Sequence, residues 1–269
     1  MKSLSFLLIF ASLTLAFSPS LTLAQTVNQD SIFSTFQIEE FDFLGRRAKV
    51  VFPEKANKDR LWVWRARFWG AEPQTDLILL KKGFHLVYVD VAGLYGNSEA
   101  VGIWNRFYDY VTDTYQLNPK TVLEGFSRGG LIVYNWASPN TDKVFCIYAD
   151  APVCDFKSWP RGLYEGIGSE YNWKECLNAY SLDETSVLSY KGIPVDNCIS
   201  IAKAKIPVLH VCGDADKVVP FEENTGQLAE KFRAAGGDIK LIMKKGIGHH
   251  PHSLEDPTPI VDFVLKSVL

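Results

Sequence analysis

Residues 123–131 read Leu-Glu-Gly-Phe-Ser-Arg-Gly-Gly-Leu, and Gly125-Phe126-Ser127-Arg128-Gly129 stands between two segments of different character. Thr121-Val122-Leu123 is short, apolar and partly β-branched, the composition of a buried strand. Leu131 to Ala137 is apolar enough for a buried helix. A strand that turns into a helix within so few residues puts Ser127 at the apex in a strained backbone. Glycine is favoured two positions to either side, where a side chain would clash. The pattern therefore singles out one atom, the Ser127 hydroxyl oxygen, as a candidate nucleophile for acyl transfer. A glycine-rich turn with an incidental surface serine would not account for the strand before it and the helix after it.

The rest of the chain supplies a sheet for that strand. Phe36 to Phe43, a turn at Leu44-Gly45 and Arg47 to Phe52 read as an antiparallel hairpin. Strand and helix patterns then alternate. Leu61 to Phe68 and Phe84 to Val91 read as strands, and Gln74 to Lys82 as a helix. Ser98 to Gln116 is an amphipathic helix with Val101, Trp104, Phe107, Tyr108, Val111 and Tyr115 at helical spacing. Strands at 144–149, 207–212 and 239–243 and helices at 222–235 and 259–268 complete the series. The expected fold is α/β, with a mostly parallel central sheet, helices on both faces and a small cap-like insertion. That insertion, residues 152–204, is less regular and rich in Gly, Trp, Tyr and Asn. It is expected above the carboxyl edge of the sheet, where α/β proteins bind ligands.

The first 24 residues are expected to lie outside the fold as a signal peptide. Lys2 gives a positive start, Leu4 to Phe17 is largely apolar, and Thr22-Leu23-Ala24 resembles a small-residue cleavage site. The expected location is secreted or periplasmic. No later segment approaches the roughly 18 uninterrupted apolar residues of a membrane span. The mature chain of about 245 residues suits one α/β domain, residues 25–269. A net charge of −3, with both signs spread along the chain, and no basic run exclude a nucleic-acid surface. Of the five cysteines, Cys146 and Cys212 sit in apolar strands as buried thiols, and a disulfide is expected between two of Cys154, Cys176 and Cys198.

A serine hydroxyl is a poor nucleophile at neutral pH and needs a base, itself oriented by an acid. His85 and His210 lie inside apolar strands and read as core residues. His249, His250 and His252 cluster in Gly246-Ile-Gly248-His249-His250-Pro-His252, after the last predicted strand. His249, directly after Gly-x-Gly, is the expected base, with His250 next. The trio shows no acidic or cysteine companion spacing for a metal. For the acid, Gly213-Asp214-Ala215-Asp216-Lys-Val-Val-Pro220 follows a strand. Asp216 stands further out toward the histidine, whereas Asp214 is expected to close a local turn. Asp150 is a lower-ranked alternative.

The order Ser127, Asp216, His249, each on a loop after a strand, resembles the α/β-hydrolase superfamily. The acid and histidine motifs are similar to those of its dienelactone-hydrolase and prolyl-oligopeptidase branches. The resemblance covers nearly all of the mature chain. It implies an oxyanion hole, with one donor from the Arg128 backbone N–H and the second from Phe68-Trp69-Gly70, assigned to Trp69 although the superfamily's His-Gly is absent there. An arginine after the nucleophile also occurs in glucuronoyl esterases, with Gly-Cys-Ser-Arg-x-Gly, where its side chain assists the oxyanion. For Arg128, a cation near the ester oxygen or a substrate carboxylate stands beside a salt bridge to Glu124 or Asp150.

Among seven tryptophans, Trp62, Trp64, Trp104 and Trp136 read as core, while Trp159 and Trp173 in the insertion are candidate substrate-binding faces for a sugar. The leading expectation is a secreted serine hydrolase of carboxylic esters, with small-molecule or glycan esters as the substrate class and no cofactor required. The competing expectations are a secreted serine peptidase of prolyl-oligopeptidase type and a non-catalytic carbohydrate-binding protein. Against the peptidase stand a chain with no room for a large accessory domain and no evident acidic pair for a peptide amino terminus.

Overall fold

The computed structural model describes residues 29–269. The predicted signal peptide lies outside the described residues. The strand-forming runs are β1 (Gln37–Phe43), β2 (Arg46–Phe52), β3 (Trp62–Arg65), β4 (His85–Val89), β5 (Thr121–Phe126), β6 (Val144–Asp150), β7 (Val208–Gly213) and β8 (Ile239–Lys244). They form one sheet in the order β1-β2-β4-β3-β5-β6-β7-β8. β1 pairs antiparallel with β2 and β2 with β4, and every other pair is parallel. The hairpin turn falls on Leu44 and Gly45, both at positive φ, the backbone twist that a tight two-residue connection needs.

Side chains alternate across the sheet with period two, so neighbours along a strand enter opposite cores. Trp62, Trp64, Val87, Leu123 and Ile147 face one layer, with Trp104, Phe107, Val133, Trp136 and Phe232. Val63, Leu86, Val122 and Cys146 face the other, with Leu79, Leu80, Val261 and Val264. The helices behind these residues are α1 (Gln74–Lys81), α2 (Ser98–Tyr115), α3 (Gly129–Ala137), α4 (Glu170–Tyr180), α5 (Ser186–Ser189), α6 (Pro194–Lys203), α7 (Gln227–Ala234) and α8 (Thr258–Ser267). α1 packs with α8 on one face, while α2, α3, α6 and α7 contact one another in sequence on the other. The four expected core tryptophans are fully buried, with the rings of Trp64 and Trp104 stacked 3.9 Å apart.

Two expectations are corrected. The insertion does not run to residue 204, because α6 packs against α3 and α7 and serves as the crossover between parallel β6 and β7. Its signal was present: Pro194 starts the helix, and Val195, Cys198, Ile201 and Ala202 give it a buried stripe. The expected disulfide is absent among the described residues, and all five cysteines are buried free thiols. Cys176 lies on α4 and Cys198 on α6, and the Cys154 Sγ donates to the Pro152 carbonyl. Each packs as a small apolar side chain, and burial holds each thiol above its ordinary pKa, Cys198 at about 11. One more departure matters for the site. The helix expected from Glu222 begins with a π turn, Glu222–Gly226. It turns Glu223 toward the insertion, where its carboxylate accepts from the Ser158 hydroxyl and from the N–H groups of Glu165 and Gly166.

Candidate active site

β5 delivers Ser127 at φ 47°, a left-handed conformation that is strained for a serine and is fixed by its neighbours. Its N–H donates to the Asp150 carbonyl at 2.8 Å, and its own carbonyl accepts from Val153 at 2.9 Å and Gly130 at 3.0 Å. A β-carbon at Gly125 would lie 2.9 Å from Val133 Cγ2. At Gly129 the expected clash does not occur, since the nearest atoms stand at 3.5 Å. The tight position is Gly130, where a β-carbon would meet Pro152 at 2.7 Å. The second glycine of the Gly-Gly pair is thus the one that lets the helix lie against the chain leaving β6.

Three loops converge at this apex. His249 Nε2 lies 2.9 Å from Ser127 Oγ, and His249 Nδ1 lies 2.7 Å from Asp216 Oδ2. A carboxylate only accepts, so Nδ1 carries the proton and the free lone pair of Nε2 faces the serine hydroxyl. The second oxygen of Asp216 accepts from the N–H groups of Val218 and Val219 at 2.8 and 2.9 Å. Burial pushes the Asp216 carboxyl up, but the hydrogen bonds from His249 and these amides outweigh it and hold the group below its ordinary range. Asp214 takes a different place from the local turn expected for it. Its Oδ1 accepts from Gly246 N at 2.6 Å, which ties the acid loop to the histidine loop.

The other histidines separate cleanly. His250 is exposed and packs edge to face on His249, with ring centroids 4.9 Å apart. Burial and the two neighbouring imidazoles lower its pKa. His85 and His210 are buried in the sheet and held neutral by burial, at about 4 and about 3. His210 bridges the Tyr134 hydroxyl and the Thr225 hydroxyl.

Two structural interactions of the site were not foreseen from sequence, where Asp150 was weighed only as an alternative acid for the triad. Asp150 takes the His252 Nδ1–H at 2.8 Å and the Ser253 N–H at 2.8 Å, so it anchors the far end of the histidine loop beneath the elbow. Arg65, fully buried at the end of β3, donates to Asp76 at 2.5 Å and Glu124 at 3.1 Å. It also donates to the carbonyls of Arg67, Phe68 and Ala71, pinning the loop that leaves β3. The signal was an arginine in the otherwise apolar run Trp-Val-Trp-Arg, in register with Glu124 on the adjacent strand.

Trp69 stands in the loop after β3. Its indole is in the core against Phe33 and Tyr88, with Nε1 donating to Asp30. The part of the loop against the elbow helix is Ala66 and Arg67, whose β-carbons stand 3.5 Å from where one on Gly129 would be. Trp173 is corrected. It is buried, with Nε1 bonded to Glu184 and its ring beside Phe156, so no face is left for a sugar. Trp159 lies beside the site, with the Arg128 guanidinium 5.3 Å from its ring centroid and 5.6 Å from that of Tyr95. Arg128 Nη1 donates to the Tyr95 hydroxyl and to Asn172. Neither Glu124 nor Asp150 pairs with it; those carboxylates pair with Arg65 and His252.

His249, His250 and His252 bring one ligand atom each within 4.8 Å of one another. No helix among the described residues is long and apolar enough to cross a membrane.

A parallel sheet with an antiparallel amino-terminal hairpin, and a serine, an aspartate and a histidine on loops after β5, β7 and β8, defines the α/β-hydrolase fold. Residues 105–267 match the prolyl oligopeptidase family of serine peptidases, and the chain belongs to that family. Its fold is that of a candidate dipeptidyl aminopeptidase IV from Bacteroides ovatus (TM-score 0.64, 13% identity, 86% of this chain and 35% of that one). It is also similar to a Mycobacterium tuberculosis puromycin-hydrolyzing peptidase (0.64, 15%, 85% and 37%) and to a Pyrococcus horikoshii acylaminoacyl peptidase (0.60, 15%, 82% and 39%). The chain spans 35 to 39% of the length of these structures. No curated protein matches it.

Proposed function

We propose that this protein is a serine hydrolase that cleaves a carboxylic acyl bond through an acyl-enzyme on Ser127. The observation that carries this reading is the continuous chain of contacts from Ser127 Oγ through His249 to Asp216, at 2.9 and 2.7 Å. In this reading, Ser127 Oγ attacks the acyl carbon while its proton passes to His249 Nε2. Asp216 holds the tautomer and stabilises the imidazolium, and His249 returns the proton to the leaving group. Water then repeats the sequence on the acyl-enzyme. The oxyanion would rest on the Arg128 N–H and on the N–H of Arg67 or Phe68, since that of Ala66 donates to the Glu124 carbonyl, each donor worth about 3–4 kcal/mol.

Family membership and the peptidase neighbours support a peptide or related amide as the first substrate class. An ester is the second reading. Arg67 and Arg128 flank the elbow, and these guanidiniums suit a carboxylate or an ester carbonyl better than the ammonium of a peptide. Arg67 is half-buried, where desolvation and then the Arg128 charge lower its pKa, an environment that an anionic substrate group would relieve. Export from the cytoplasm is part of the proposal, on the strength of the charged and then apolar start of the chain.

Labelling with a fluorophosphonate tests the nucleophile. Ser127 is the expected site, and Ser127→Ala is expected to lose both label and turnover; a labelled Ser127→Ala variant would refute the assignment. Dipeptide anilides run against acetyl, feruloyl and uronic methyl esters then decide between the two bonds.

A further inference from the structure

The histidine loop holds more than a base. Its three imidazoles meet edge to face, with ring centroids 4.9, 4.9 and 4.7 Å apart. Two of them are backed in the same way. His249 gives its Nδ1–H to Asp216 at 2.7 Å, and His252 gives its Nδ1–H to Asp150 at 2.8 Å. Both carboxylates are almost wholly buried, with side-chain exposures of 2% and 0%. A carboxylate on one ring nitrogen fixes the tautomer that leaves the other nitrogen as a lone-pair donor. This is the environment in which proteins place histidine ligands for metals. Catalysis requires one such pair. The second, Asp150–His252, has no role in proton transfer at Ser127.

We infer that His249, His250 and His252 form a binding site for a borderline divalent cation, of the zinc or copper class, and that occupation of this site switches the hydrolase off. The donor set is Nε2 of His249, Nε2 of His252 and one ring nitrogen of His250. One ring nitrogen from each of the three residues lies within 4.8 Å of the others. Zn–N bonds of about 2.0–2.1 Å in a tetrahedron put nitrogens about 3.4 Å apart. The remaining adjustment falls to His250, which is exposed and free to change rotamer. Three imidazoles suit zinc, copper, nickel or cobalt and not magnesium or calcium, which take oxygen donors. Inhibition follows from the geometry. The Nε2 lone pair that would accept the Ser127 proton, at 2.9 Å, is the pair the cation would take. This inference rests on the proposed hydrolase for its consequence, but not for the binding itself.

The test uses the whole protein, freed of metal by a chelator. Isothermal titration with Zn²⁺ is expected to give one site, and fluorophosphonate labelling of Ser127 is expected to slow by about tenfold or more at saturation and to recover with EDTA. Mg²⁺ is expected to do neither. His250→Ala, at an exposed position that should not disturb folding, is expected to weaken Zn²⁺ binding by about ten- to a hundredfold and to shift the inhibition curve by the same factor. Co²⁺ provides a second readout, a visible absorption band of tetrahedral character that is lost in His250→Ala. Absence of Zn²⁺ binding overturns the inference, as does binding that leaves labelling untouched or that is unchanged in His250→Ala. If metal-free protein does not label at Ser127 while Zn²⁺ still binds through His250, the hydrolase reading falls and the metal site stands.

Discussion

A β-carbon at Gly213 would stand 2.2 Å from the carbonyl oxygen of Ile247. The next carbonyl, that of Gly248, would be 2.4 Å away. The acid loop and the histidine loop are therefore in direct backbone contact, and Ala215 N adds a hydrogen bond to the same Ile247 carbonyl at 3.0 Å. The distance between Asp216 and His249 is set by this contact and by the Asp214–Gly246 bond. Gly213→Ala has no flexible side chain to push aside, so the two loops must separate. We expect a loss of about a hundredfold in the rate of Ser127 labelling and a destabilisation of about 1–3 kcal/mol, read as a lower thermal midpoint. Wild-type rates in this variant would show that the loops are positioned by something else.

Three aspartates can be ranked by what they touch. Asp216→Asn leaves the shape but presents an amide to His249 Nδ1, which favours the wrong tautomer. The expected fall in kcat is about 10⁴-fold with a small change in thermal midpoint. Asp150→Asn loosens the anchor of His252 and Ser253 without touching His249, so its kinetic loss should be much smaller and its effect on stability larger. Asp214→Asn keeps an oxygen that can accept from the Gly246 N–H and should fall nearest to wild type. Parallel steady-state kinetics and melting curves check the order, and an Asp150 variant as slow as the Asp216 variant would move the acid to β6.

Much of this was legible in the sequence, for a physical reason. The apex serine, the Gly-x-Gly before His249 and the acid three residues beyond Gly213 are local patterns, and strand alternation carries them to one edge of the sheet. What was illegible depends on partners distant in sequence. Trp173 looked like a site aromatic because it sits in the insertion, but it lies on α4 and its ring is drawn into the hydrophobic layer beside Phe156. The end of the insertion was missed because α6 follows α5 after only a few residues. Its apolar stripe gains meaning only once α3 and α7 are known to lie beside it. Arg65 was invisible as a site element because its role is fixed by strand register, and Asp150, weighed as an alternative acid, has His252 rather than His249 as its partner.

Arg65 carries a prediction of its own. Its guanidinium is the shared partner of Asp76 and Glu124, and burial, then Asp76, push the Glu124 carboxyl well above its ordinary range despite the arginine. Arg65→Met would leave two buried carboxyls and three loop carbonyls without this donor, at a cost of about 3–5 kcal/mol. Arg65→Lys should rescue little, because a single ammonium cannot span the fork that reaches both carboxylates and the loop. Chemical denaturation measures both variants, and a lysine variant as stable as wild type would refute the argument.

The five cysteines give a simple count. All are buried thiols with raised pKa where a shift is resolved, so a native sample should react slowly with a disulfide reagent such as DTNB. The same sample unfolded in guanidinium should release five equivalents without prior reduction. Release of three would mean that a disulfide forms.

His210 makes the fold acid-sensitive in a defined window. Burial lowers its pKa from 6.5 to about 3, and both ring nitrogens face hydroxyls rather than a carboxylate. The unfolded chain therefore binds this proton more readily than the folded one. Its contribution to stability is complete above pH about 6.5, falls as pH drops, and is exhausted near the folded value of about 3, with a slope of up to about 1.4 kcal/mol per pH unit. His85, lowered to about 4, acts in the same direction over a narrower range. Denaturation curves from pH 7 down to pH 4 should steepen accordingly. His210→Gln removes the titrating group while retaining a hydrogen-bonding side chain between Tyr134 and Thr225. It should be less stable than wild type at pH 7 and should flatten the dependence between pH 6.5 and 4. An unchanged slope in that variant would assign the acid sensitivity to other groups.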